Sequence, residues 1–436
     1  MSLSLASIVT ETARRLPDQT ALIMDETRYT YRQLRELMLS TAAYLQGLGV
    51  DRGTRLALMC PNRPEFTISY YGALAAGATV VTLNNLLVAD EIVYQVENSD
   101  SVGVICDLDS YPQVRDAVQR TGCCKWILIA ALDCEEARRA DPSRPSLGEA
   151  IRANAPLESY AQTRPDDTAV VMYTSGTTGR PKGAELTHFN LWENARIVSE
   201  RTFGEREDEI LPLGPGHVAV AVLPLFHSFG QTCVQNALLF NGGAITYLPR
   251  FDAIKLADII ERDKVTILDA VPTIYNALIS SEEIPPEKLR TLSFGISGGA
   301  ALPIEVRKAF EERYRMPILE GYGLTETSPV ACAQARWRPI KTGSIGQPVP
   351  GVEMRIFDDN DRELPPGVEG EVVIRGRNIM KGYLNYPEAT EQVMRSGWFH
   401  SGDIGKTDED GDFYIVDRKK DMIIRGGFNV YPREVE

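Results

Sequence analysis

Residues 168–187 read TAVVMYTSGTTGRPKGAELT, an apolar run followed at once by a segment dense in glycines and hydroxyls and closed by Lys182. A near-continuous stretch of Val, Met and Tyr is the pattern of a strand buried on both faces of a mainly parallel sheet. The same kind of run recurs on both sides: RLALMC (55–60), TVVTL (79–83) and VGVICD (102–107) before it, and HVAVAVLP (217–224), VTILDA (265–270) and LSFGISG (292–298) after it. Amphipathic segments alternate with these runs. The one at 31–48 places Leu34, Leu37, Met38, Ala42 and Leu45 on one stripe and stops at Gly47 and Gly49, as a surface helix does. The alternation from about residue 20 to 323 predicts an α/β architecture with helices on both sheet faces, in subdomains spanning 1–336.

Beyond residue 337 the period changes. VEMRIF (352–357), GEVVIRG (370–376) and DFYIVD (412–417) alternate at period two, separated by turns such as ELPPGVEG, which predicts a small antiparallel barrel or sheet over 337–417. Residues 418–436 read as a hinge and the start of a further domain. YPREVE (431–436) has the Pro and acidic residues of a helix N-terminus, and so short a helix does not hold alone. The chain is therefore expected to stop inside an element.

A length of 436 residues suggests more than one packed unit. The balance of 46 Lys+Arg against 60 Asp+Glu, net −14, disfavours nucleic acid and anionic membrane as bulk partners, so an anionic ligand requires a local device. Seven scattered cysteines show no ligand spacing and predict free thiols in a cytoplasmic protein. MSLSLASIVTETARR lacks the regions of a signal peptide, and no run reaches the ~20 apolar residues of a membrane span.

The local device is the loop Thr174-Ser175-Gly176-Thr177-Thr178-Gly179-Arg180-Pro181-Lys182-Gly183. Its glycines allow close backbone approach, its hydroxyls add donors, and Lys182 adds a charge. The spacing differs from GxxxxGK[ST]. Together with Tyr173 it resembles the phosphate loop of the adenylate-forming superfamily, which includes acyl-CoA synthetases, aryl-CoA ligases, luciferases and peptide-synthetase adenylation domains. Further superfamily motifs follow in order across essentially the whole chain. The resemblance implies the large N-terminal domain of that fold, two packed sheet-and-helix subdomains plus a small antiparallel β-barrel.

It also implies roles. Thr174 to Gly179 and Lys182 would hold phosphates. The turn Ser297-Gly298-Gly299-Ala300 would lie against the adenine and the acyl group. In Glu320-Gly321-Tyr322-Gly323-Leu324-Thr325-Glu326, Tyr322 would stack on adenine, Thr325 would contact phosphate, and Glu326 with Thr177 would hold Mg²⁺, a hard ion suited to one carboxylate and substrate phosphates. Asp403, in WFHSGD (398–403), and Arg418 would bind the ribose. Ser401 stands where many members have Thr and keeps the hydroxyl. Lys420 would be the hinge, and Gly427, after Gly426, would border the CoA tunnel. The family's adenylation lysine falls beyond residue 436, and Lys182 does not replace it.

The implied chemistry is attack of a carboxylate on the α-phosphorus of ATP, release of pyrophosphate, and transfer of the acyl group to CoA, with positioning and charge neutralisation as the protein's contribution. In Phe226-His227-Ser228-Phe229-Gly230, the family's acyl-pocket wall, His227 would gate the pocket. It occupies the place where amino-acid-activating relatives carry aspartate, which disfavours an ammonium substrate. Gly230, Gly298 and Gly323 are expected to leave room for an apolar tail. EGYGLTETSPV (320–330) and LPLFHSFG (223–230) look closest to medium- and long-chain fatty acyl-CoA ligases. Aryl-CoA ligases, and acyl-AMP ligases that load a carrier protein, remain the alternatives.

Overall fold

The computed structural model describes residues 2–174, 180–201, 212–418, 423–425 and 428–430. Two large sheets carry most of the chain. One has seven strands, with Thr168–Thr174, Thr79–Thr82, Arg55–Met59, Gly103–Cys106 and Trp126–Ile129 adjacent and parallel. The other has nine, with a parallel centre that includes Val218–Ala221, Ile267–Ala270, Phe294–Ser297 and Ile318–Gly323. The expected antiparallel unit is present: Val352–Phe357, Gly370–Gly376, Trp398–Thr407 and Phe413–Arg418 pair in succession. Short strands from the same region also extend the large sheets, Gln347–Pro348 the nine-stranded one and Gly382–Tyr383 the seven-stranded one.

The helix expected at 31–48 spans Tyr31–Gly47. It starts where it does because Thr30 and Gln33 cap each other: Gln33 N–H donates to Thr30 Oγ1 and Thr30 N–H to Gln33 Oε1.

A polar seam joins the two large sheets. Helix Pro64–Ala76, between two strands of the seven-stranded sheet, is buried at nearly every position. Its Thr67, Tyr70 and Tyr71, spaced i, i+3, i+4 on one face, meet Phe229–Asn236, which follows a strand of the other sheet. Thr67 and Tyr70 donate to Gln235 Oε1 and Gln231 Oε1 at 2.6 and 3.0 Å, and Tyr71 donates to Asn236 Oδ1 at 2.8 Å. Residues 229–236 form a π-helix, a geometry rare enough to mark a functional wall. All seven cysteines are free. No helix among the described residues is long and apolar enough to cross a membrane.

Candidate active site

The parallel strands Phe294–Ser297 and Ile318–Gly323 and the strand Thr168–Thr174 deliver their carboxyl ends to one cleft of about 1850 Å³, which the antiparallel unit closes from the side. Ligands of open α/β sheets bind at such ends. Thr174, Lys182, His227, Gly298 and Gly299 line it, as do Gly321, Tyr322, Gly323, Thr325, Glu326, Asp403 and Arg418. Ala300 is exposed and does not line the cleft. Ser175, Gly176, Thr177, Thr178 and Gly179, with Lys420 and Gly427, lie outside the described residues. Thr174 and Lys182 face each other across neighbouring antiparallel strands.

Strand register assembles the acidic end. Asp403 and Arg418 are direct partners in adjacent strands, with Arg418 Nε 3.4 Å from Asp403 Oδ1. Tyr322 OH donates to Asp403 Oδ2 at 2.6 Å across 81 residues of sequence. The buried Asp403 is thereby aimed, and its carboxylate is held beside a cation and a phenol before any ligand arrives. Burial and the adjacent carboxylate push the Tyr322 phenol well above its ordinary range, so it stays a donor. Asp403→Ala strands that phenol and removes the acceptor. We expect AMP affinity to fall by about 1–3 kcal/mol, and unchanged affinity in calorimetry would remove Asp403 from the site.

Glu326 is buried, and desolvation raises its pKa although Tyr383 OH donates to Oε1 at 2.7 Å. Lys182 Nζ lies 5.6 Å from the centre of the Tyr383 ring, so Tyr383 separates the carboxylate from the cation. Tyr383 is a site residue that sequence reasoning missed, because a two-residue strand pairing with residues 184–185 brings it in. Among the described residues no cluster of three His, Cys, Asp or Glu could hold a metal alone. A single buried carboxylate, Glu326, fits an ion held mainly by nucleotide phosphates and water.

His227 borders the cleft, open to it on one side, and the surrounding walls push its pKa down. The glycine expectation needs correction. Gly230 does not line the cleft: a Cβ there would sit 2.5 Å from the Pro224 carbonyl oxygen and 2.8 Å from that of Leu223. The residue is small so that the π-helix can pack on backbone, not to admit a ligand. Gly323 borders the cleft, but its Cβ direction runs into the Pro329 carbonyl. Gly298 lines the cleft, and its Cβ direction meets the Phe229 ring at 3.1 Å, so its smallness lets that ring approach.

The family described as AMP-binding enzyme matches residues 9–384. The chain belongs to the AMP-binding enzyme family. It is similar to a long-chain-fatty-acid–CoA ligase of Bacillus subtilis, 37% identical over 99% of this chain and 80% of the relative. A feruloyl-CoA synthase of an Amycolatopsis species is 34% identical over 97% of this chain and 80% of its own length. Among solved structures, the inhibitor-bound N-terminal domain of FACL13 from Mycobacterium tuberculosis superimposes with a TM-score of 0.84 at 29% identity, covering 96% of this chain and 100% of that one. The reading of the motifs as those of an adenylate-forming enzyme is borne out, and the AMP-binding fold with its added antiparallel sheet matches the expected class.

Proposed function

We propose that the protein activates a medium- or long-chain fatty acid with ATP to an acyl-adenylate, releasing pyrophosphate, and transfers the acyl group to CoA. One observation supports this most strongly. The Tyr322–Asp403–Arg418 group and an apolar floor formed by Ile296 and Leu319 open into the same cleft, so a nucleotide and an alkyl chain can meet end to end. Tyr322 would carry the adenine, Asp403 and Arg418 the ribose, and Lys182, Thr325 and the loop 174–179 the phosphates. Glu326, with Thr177, would hold Mg²⁺, which would supply charge stabilisation to the phosphates. His227 and Phe229 border the entry to the acyl floor. Lys420 and Gly427 keep their proposed hinge and CoA-tunnel roles. Two large-sheet subdomains over 1–336, the β-rich unit 337–417 and a hinge from 418 describe the organisation that this reading assigns. A cytoplasmic setting belongs to the same reading and rests on the free cysteines.

A chain-length series tests it. Non-hydrolysable acyl-sulfamoyl adenosines should bind more tightly as the tail grows, by up to ~0.8 kcal/mol per buried methylene, or about two orders of magnitude over four carbons. A flat or falling profile in calorimetry, with a benzoyl or coumaroyl analogue preferred over octanoyl, would replace fatty acids by aryl acids. Acyl transfer to a carrier-protein thiol and not to CoA would replace the acceptor.

A further inference from the structure

The acyl floor holds one group that an alkyl chain cannot satisfy. Asp269, Ile296 and Leu319 are successive cross-strand partners in three parallel strands. They therefore stand side by side on one face of the sheet, and all three line the cleft. The neighbouring positions Leu268 and Ala270 point to the opposite face, into a separate core under the helices. Asp269 is 2% exposed, and its Oδ1 has no hydrogen-bond partner among the described residues. The nearest phenol is already committed: Tyr275 OH donates to the carbonyls of Leu268 and Ile296. Ile296 is the partner of Asp269 on the next strand, and Phe229 and Cys233 of the π-helix also line the cleft. Burial pushes the Asp269 pKa up to about 7, so the carboxyl exchanges between an acceptor and a donor near neutral pH.

A buried carboxyl without a partner is costly, and it stays costly when a plain hydrocarbon covers it. The adenylation machinery described above leaves it unused. An ammonium group would have to shed more water than a hydroxyl to reach this carboxyl, and aminated analogues test that alternative directly. A hydroxyl loses far less water and can donate to the ionised form or accept from the neutral one.

We propose that Asp269 is a specificity-determining residue that selects fatty acids bearing a hydroxyl part-way along the chain. The inference rests on the fatty-acid reading and narrows its substrate class. The hydroxyl sits where the tail crosses the Asp269–Ile296–Leu319 row.

The test uses the full chain and acyl-sulfamoyl adenosines of one length: unsubstituted, hydroxylated at successive carbons, and aminated at the same carbons. In calorimetry one hydroxylated isomer should bind about 10- to 100-fold more tightly than the unsubstituted analogue. Asp269→Leu should erase that advantage while binding the unsubstituted analogue at least as well. Asp269→Asn, which keeps the shape and a carbonyl acceptor, should retain a smaller advantage, and it covers the case in which the leucine variant fails to fold. The inference is overturned if no hydroxylated isomer exceeds the unsubstituted analogue, if Asp269→Leu leaves the preference intact, or if an aminated isomer binds best. In each of those cases tight binding of the unsubstituted analogue leaves the fatty-acid function standing. Failure of every analogue to bind overturns both.

Discussion

Glu326→Gln should lower acyl-adenylate formation by about two to four orders of magnitude while leaving the fold intact. The carboxylate is buried beside Tyr383, and its charge is disfavoured by desolvation. Keeping an ionisable group there without a cation is unfavourable, so the neutral amide should leave the ligand-free protein no less stable. Gln retains an oxygen that can accept from Tyr383 OH, and only the charge is lost. If that charge anchors Mg²⁺ on the phosphates, the variant loses several kcal/mol of charge stabilisation. Two readings separate a metal role from a packing role. Calorimetry of ATP binding should show a Mg²⁺ dependence in the parent that weakens in the variant, and pyrophosphate exchange should need far more Mg²⁺ to saturate. The same Mg²⁺ midpoint in both proteins would show that Glu326 is not a ligand.

The second large effect is on stability, and its sign depends on pH. Asp269 has a folded pKa of about 7 against an ordinary 3.8. Below about pH 4 its carboxyl is neutral in both folded and unfolded chains and contributes no penalty. Between about 4 and 7 the unfolded chain ionises while the folded one resists, so stability falls as pH rises. Above about 7 the penalty is complete, with an upper bound of about 4 kcal/mol. Asp269→Leu removes this penalty, so its gain in melting temperature should be larger at pH 8 than at pH 5. Equal gains at the two pH values would mean that the carboxyl does not titrate as its burial requires. A variant that is more stable yet less selective is the usual signature of a binding group kept at the expense of packing.

Much of this architecture was legible in local pattern. The apolar runs at 55–60, 79–83 and 168–174 became parallel strands, and the alternating VEMRIF and GEVVIRG became antiparallel neighbours. The apolar stretch from Tyr70 to Val88, interrupted by Gly77, resolved into the end of one helix and a strand. Features set by distant pairing were not legible. Tyr383 reaches Glu326 only because residues 382–383 add a strand beside 184–185, a partnership nearly 200 residues apart. The π-helix escaped because eight residues are too few for its longer turn to show as a period. Gly230 was misread for a related reason: a glycine in a motif signals close approach, and sequence does not say whether ligand or backbone approaches. Asp269 was hidden inside VTILDA, a run so apolar that one acid did not disturb the strand reading.

The seam between helix 64–76 and the π-helix bears on how the enzyme could evolve new preferences. The face of the π-helix that carries Gln231, Gln235 and Asn236 is bonded to Thr67, Tyr70 and Tyr71, while Phe229 and Cys233 border the cleft. Sliding or tilting that wall to admit a bulkier tail would break several buried bonds together, each costly to leave unmade. On the proposed reading the acyl pocket would act as a fixed gauge that does not mould itself to its cargo. Its tolerance should change in discrete jumps, through single replacements at positions such as 229, 233, 269 or 298, and rarely through drift in the surrounding loops.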